Sequence, residues 1–248
     1  MSTAPKDLTA PAPPAATFPV NFSAALPLDS GGLDDAEEIA RAEVYGLLTA
    51  LFQAAPSAEL YAALQVAVTE APTRGAFLES SWSTLVGASR RLTLTQVEEE
   101  FVALFQGIGK PEIFLHGSYF IAGHLNEKPL VDLRHDLIAL GLERPMEVLQ
   151  TEDHLSNLCE VMRYLIAGVG ASDSADGGPD APPIPDHVRL ARQLAAQQQF
   201  FNRHLRGWNE VLWDVLSAHP RADFYAAVAG FGRDFFAVEA QGFDLLEA

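Results

Sequence analysis

The sequence predicts an all-α protein, a single helical domain of about eight or nine helices, and three observations carry that reading. Apolar residues fill 48% of the 248 positions, enough for a substantial core. In segment after segment they recur near every 3.6 residues, and β-branched alternation bounded by hairpin turns is missing.

Residues 1–32 are rich in Ala, Pro and small polar residues and close on Ser30-Gly31-Gly32. Such a composition buries too little apolar area to offset ordering entropy, so a mobile tail is expected, with the helical domain over 33–248. From Asp34 the pattern turns helical: acidic residues occupy the first turn, and Ile39, Val44, Leu47, Leu48 and Leu51 share a face as far as Pro56. Further helices are expected over 57 to about 70, 73 to about 90 and 95–106, the last opened by a capping box at Thr95 and Glu98. A helix over 129–140 should end at Gly141, which tolerates the left-handed conformation, and another should run from 152 to about 167. Residues 170–186 are a Gly/Pro/Ser/Asp break and read as an exposed loop or hinge. Beyond it, one long helix is expected over 188–216, with Leu190, Leu194, Phe201, Leu205, Trp208 and Leu212 as its seam, and a last one over 223 to about 241.

Charge and cysteine content narrow the function. Sixteen basic against thirty-three acidic residues leave −17, which argues against nucleic acid and anionic lipid and for a basic or apolar partner. The single cysteine, Cys159, supplies neither a disulfide nor a thiolate cluster, and its place on an apolar arc beside Met162 reads as a buried thiol. The N-terminus lacks the apolar run of a signal peptide, and no segment approaches the ~20 apolar residues of a membrane span. A cytoplasmic protein is expected.

Two stretches carry chemical information. In the first, Leu104-Phe105-Gln-Gly107-Ile-Gly109-Lys-Pro111 ends an amphipathic helix sharply and is followed by Phe114, His116, Gly117, Ser118 and Tyr119. Gly107 to Lys110 lacks the spacing of a phosphate loop, and proline follows the lysine. The second is Thr151-Glu-Asp153-His154, leading through Cys159 and Glu160 to Met162. Here Asp153, Asn157, Glu160 and Tyr164 fall on a polar stripe opposite the apolar arc, with His154 at its edge. Asp153 and Glu160 stand two turns apart, roughly 10 Å, too far to share a proton as an acid/base pair. A solvated face is the plain reading of that stripe.

Together these stretches resemble the TorD family of molybdoenzyme maturation chaperones, which also includes DmsD-like and NarJ-like members. The matching features are Leu104-Phe105-x-Gly107-x-Gly109, then Ser118-Tyr119, then Asp153-His154 with Glu160 and Met162, and finally Phe200-Phe201-x-x-His204-Leu205-x-x-Trp208. Ile108 replaces the central proline of the family's Gly-Pro-Gly loop, and Gly117 stands where the family usually has glutamate. The resemblance implies a chaperone without catalysis, cofactor or bound metal. Such a chaperone binds the twin-arginine leader or apo form of a molybdenum oxidoreductase, assists cofactor insertion and delays export. It places Asp153, His154 and Glu160 at or near the peptide site, with Gly107, Gly109, Pro111, Ser118 and Tyr119 shaping its neighbourhood. Residues 128–134, Lys-Pro-Leu-Val-Asp-Leu-Arg, are similar to members associated with formate dehydrogenase.

Two other readings stay open. His135-Asp136, with His116 or His124 as a first ligand, is similar to the metal pair of HD-type phosphohydrolases. A helical scaffold unrelated to export fits the same pattern. The break at 170–186 also offers a hinge for exchanging C-terminal helices between two protomers, giving a homodimer.

Overall fold

A computed structural model describes residues 16–17, 33–69, 78–107, 109–144, 149–167 and 185–246. Among these residues the chain forms ten helices: α1 Leu33–Gln53, α2 Ala58–Val66, α3 Glu79–Arg91, α4 Leu94–Phe105, α5 Gly117–Ala122, α6 Lys128–Ala139, α7 Leu155–Ile166, α8 Asp186–His204, α9 Asn209–Ser217 and α10 Phe224–Leu245. The β structure is slight: strand β1, Ala16–Thr17, pairs in parallel with β2, Leu142–Glu143. The expected tail and the break at 170–186 lie almost wholly outside the described residues.

Local chemistry sets most helix ends. Ser57 caps α2 by accepting from the Leu60 N–H. The capping box of α4 is formed by Thr93 and Gln96, two residues ahead of the expected Thr95 and Glu98. Pro129 sits in the first turn of α6, where its missing N–H costs nothing, and Gly141 follows the helix at φ +70° as expected. Helix α5 is shorter than any periodicity signal can reveal and was not expected at all.

The expected helix over 188–216 divides in two. The N–H groups of Leu205 and Arg206 both donate to the Phe201 carbonyl, and the Asn209 side chain donates to the Leu205 carbonyl, so the ladder closes on itself. Gly207 lies within this turn, and the apolar seam survives the break because Leu205, Trp208 and Leu212 are all buried. The periodicity therefore recorded burial correctly and continuity wrongly.

Helices α1 and α7 pack along one another, while α10 packs against α9, α3 and α4. Between them lies an aromatic core in which Phe52, Phe105 and Phe101 surround Tyr225, and Trp213 meets Phe52 and Phe236. A Cβ on Gly232 would stand 3.0 Å from the Trp213 ring, so helix and indole meet without spare room. Rings of this size bury about 150–250 Å² each, roughly 4–6 kcal/mol of hydrophobic transfer apiece.

Candidate functional site

The two motif stretches meet in space. The Leu155 N–H donates to the Leu115 carbonyl at 2.7 Å, and the Gly117 N–H donates to the Asp153 carbonyl at 2.9 Å, an antiparallel bridge pairing His116 with His154. The Asp153 carboxylate then accepts from the Ser118 N–H at 2.9 Å and from the Thr151 hydroxyl at 2.6 Å. It thereby caps α5 from 35 residues away, since His116 at the head of that helix makes no side-chain cap.

His154 is the N-cap of α7. Its Nδ1 accepts from the Ser156 N–H at 3.3 Å and lies 2.8 Å from the Ser156 hydroxyl, which places the proton of the neutral ring on Nε2. Burial pushes its pKa down to about 3, helped by His116 and partly opposed by Asp153. The His116 ring stands edge-on at 4.9 Å, also held below its ordinary value by burial, and its buried Nδ1 has no partner among the described residues. Burial alone would raise the Asp153 carboxyl, but the bonds from Ser118 and Thr151 outweigh it and the net shift is downward.

These positions correct the expectation of a solvated stripe. Asp153 is 3% exposed, His154 5% and Glu160 9%, and α7 begins at Leu155 rather than 152. Glu160 is held by the Arg163 guanidinium at 2.6 and 2.9 Å, with burial raising its carboxyl against that partner. All three are therefore parts of the fold, whatever else they do. Sequence periodicity misplaced them because α7 is covered on nearly every side.

Beside the bridge opens a cavity of about 170 Å³, walled by Gly117, Ser118 and Ile121 of α5, Pro129, Asp132 and Leu133 of α6, Asp153 and Leu158, and Arg203 and His204 at the end of α8. Of the residues expected at the peptide site, Ser118 and Asp153 line it, and His154, next to Asp153 in the chain, does not. Gly107, Gly109 and Pro111 do not. They form the turn after α4, where a Cβ on Gly107 would lie 2.7 Å from the Lys110 carbonyl oxygen and Gly109 adopts φ +86°. Tyr119 stacks on Phe114 at 4.2 Å, and Glu160 stands farther along α7, neither in the wall. Gly117, the departure from the family pattern, has its reason in Trp208: a Cβ there would meet the indole at 3.1 Å.

Sequence reading missed Asp132 and Arg203 as site residues. Asp132 stood inside the quoted segment 128–134, and His204 inside the Phe-Phe-x-x-His pattern, but nothing in either signalled that α6 and α8 converge. The HD-type pair is taken apart: Asp136 binds His204 at 2.6 Å and Arg203 at 2.8 Å, while His135 is exposed. Among the described residues no three His, Cys, Asp or Glu side chains gather as a metal site.

A larger cavity, about 370 Å³, lies between α1, α8 and α10. Its wall is mostly apolar, and in it Arg41 binds Glu239 at 2.6 and 2.8 Å and Gln197 at 3.1 Å, while Glu37 stands at the rim. The smaller cavity is the better candidate because both motif stretches meet at its wall and a buried hydroxyl, Ser118 Oγ, has no partner there among the described residues.

The structure is thus a helical bundle with an acidic cleft in its wall. The family model described as nitrate reductase delta subunit matches residues 53–213, more than half of the chain, and the chain belongs to that family, whose members are maturation chaperones of molybdoenzymes. The finding agrees with the TorD-like pattern of motifs. No curated protein matches the chain. No helix among the described residues is long and apolar enough to cross a membrane.

Proposed function

We propose that this chaperone acts in the cytoplasm on a molybdenum oxidoreductase, holding the apo client by its twin-arginine leader while the cofactor is inserted and so delaying export. The observation that supports the leader reading best is the cleft beside the His116 and His154 bridge. It is acidic, it lies in a protein of net charge −17, and Ile121 at its wall is 52% exposed. A leader is cationic at its start and apolar after it, so this surface is complementary in both respects. The segment that resembles formate dehydrogenase partners forms the α6 wall, and a formate dehydrogenase is accordingly the client we infer.

Titration calorimetry of the full chain with a synthetic twin-arginine leader tests the reading. Saturable binding that weakens as salt rises is expected, because the attraction between cation and acidic cleft is screened. A leader with both arginines replaced by glutamine should bind at least tenfold more weakly. Equal binding of the two peptides, or none of either, removes the leader from the function.

A further inference from the structure

We infer that the 170 Å³ cleft is a receptor for one guanidinium group, in which Asp132 and Ser118 are the recognising side chains and Asp153 the fixed charge behind them. The inference rests on the leader reading for its physiological ligand, and the cleft's own chemistry carries it.

The charges of the cleft do not cancel. Arg203 is engaged by Asp136 at 2.8 Å, and Asp136 also accepts at 2.6 Å from His204. Burial holds the His204 pKa below its ordinary value against the pull of Asp136, so at neutral pH the imidazole brings no charge. Arg203 and Asp136 therefore offset one another. Asp153 receives only neutral donors, Ser118 N–H and Thr151 O–H. Asp132, half-buried, has no hydrogen bond or ion pair among the described residues. Two carboxylates thus face the cleft without an ion pair among the described residues.

Ser118 is an independent sign of an unfilled site. It is wholly buried, and its Oγ has no hydrogen-bond partner among the described residues. An idle buried hydroxyl costs about 1–3 kcal/mol, a cost that a donor arriving from a ligand removes. The remaining wall, Ile121, Pro129, Leu133 and Leu158, is apolar and suits the aliphatic stem and flat faces of an arginine. Two carboxylates and a hydroxyl in separate places call for several donors in a fixed fork, which a guanidinium has and an ammonium lacks. The volume, about 170 Å³, admits one side chain.

The test uses the full chain, the twin-arginine leader, its arginine-to-lysine version and N-acetylarginine amide, with binding read by calorimetry and by backbone amide resonances. Asp132→Asn is expected to weaken the arginine leader about tenfold while leaving thermal stability within a degree or two. The lysine leader should bind wild type about tenfold more weakly and lose little further in Asp132→Asn. N-acetylarginine amide should shift the resonances of Ser118 and Asp132. Unchanged leader affinity in Asp132→Asn overturns the receptor while leaving the leader reading intact. If no leader binds wild type, the leader reading fails by itself, and the amide decides: shifts at Ser118 and Asp132 uphold the guanidinium site, and their absence overturns it.

Discussion

Two buried acidic positions in this protein show how the same chemistry serves opposite ends. Glu100, 8% exposed on α4, accepts from the N–H groups of Asp223, Phe224 and Tyr225 at 2.8 to 3.0 Å. It closes the start of α10 from another helix, and its carboxylate is fully engaged by the backbone dipoles it faces. At the cleft, by contrast, Asp153 caps α5 with one oxygen, while Asp132 stays unpaired and the Ser118 hydroxyl idle. Burial alone thus does not mark a binding residue. What separates the proposed receptor from the Glu100 cap is the hydrogen-bonding capacity left at its wall.

The largest test of that contrast is at the engaged end. Glu100→Ala leaves three N–H groups without their acceptor and is expected to cost about 3 kcal/mol of unfolding free energy in urea melts, with leader affinity unchanged. A loss below about 1 kcal/mol would mean that water replaces the carboxylate and that the two sites differ less than drawn.

The next effect is in pH. His154 is neutral in the fold down to about pH 3, whereas the unfolded chain takes up a proton at the ordinary histidine value. The unfolded state binds more protons in between, so stability is full above that ordinary value and falls as pH drops below it. From pH 7.5 to pH 5 this amounts to about 2 kcal/mol from His154 alone. His116 and His204 are shifted in the same direction and steepen the slope. His154→Asn keeps an N-cap acceptor but cannot titrate, so its stability should fall less over the same interval; an identical slope would move the proton uptake elsewhere.

The smallest and sharpest test is Ser118→Ala. Removing a buried hydroxyl that bonds to nothing should leave stability unchanged or raise it by up to about 1 kcal/mol, while leader affinity drops a few-fold. A destabilisation above about 1 kcal/mol would show that the hydroxyl has a partner in the fold and is not waiting for one.

Much of this architecture was legible in residue spacing. The all-α class, the Gly141 stop and the buried Cys159, whose thiol burial pushes well up, follow from local pattern and composition. What was not legible depends on contacts between distant segments. Helix α5 has six residues and borrows its cap from Asp153, so no local signal marks it. The turn at 205–208 hides inside a continuous apolar seam, because burial does not require an unbroken ladder. Asp153 and His154 stood out by motif, yet their polar character suggested solvent. Their burial is set by the bridge to residues 115–117, a pairing that a helical wheel cannot represent. The cleft needed α6 and the end of α8 as well, and only Ser118 and Asp153 among its walls are expected from the sequence as peptide-site residues.

The position of His204 and Arg203 in the cleft wall has a consequence for biosynthesis. His204 lies 86 positions after Ser118, so a ribosome must have translated past α8 before the whole wall can assemble. On the receptor we propose, a nascent chain would be closed to arginine until α8 has folded onto α5 and α6, and a product truncated ahead of α8 should bind no leader, however well its earlier helices assemble.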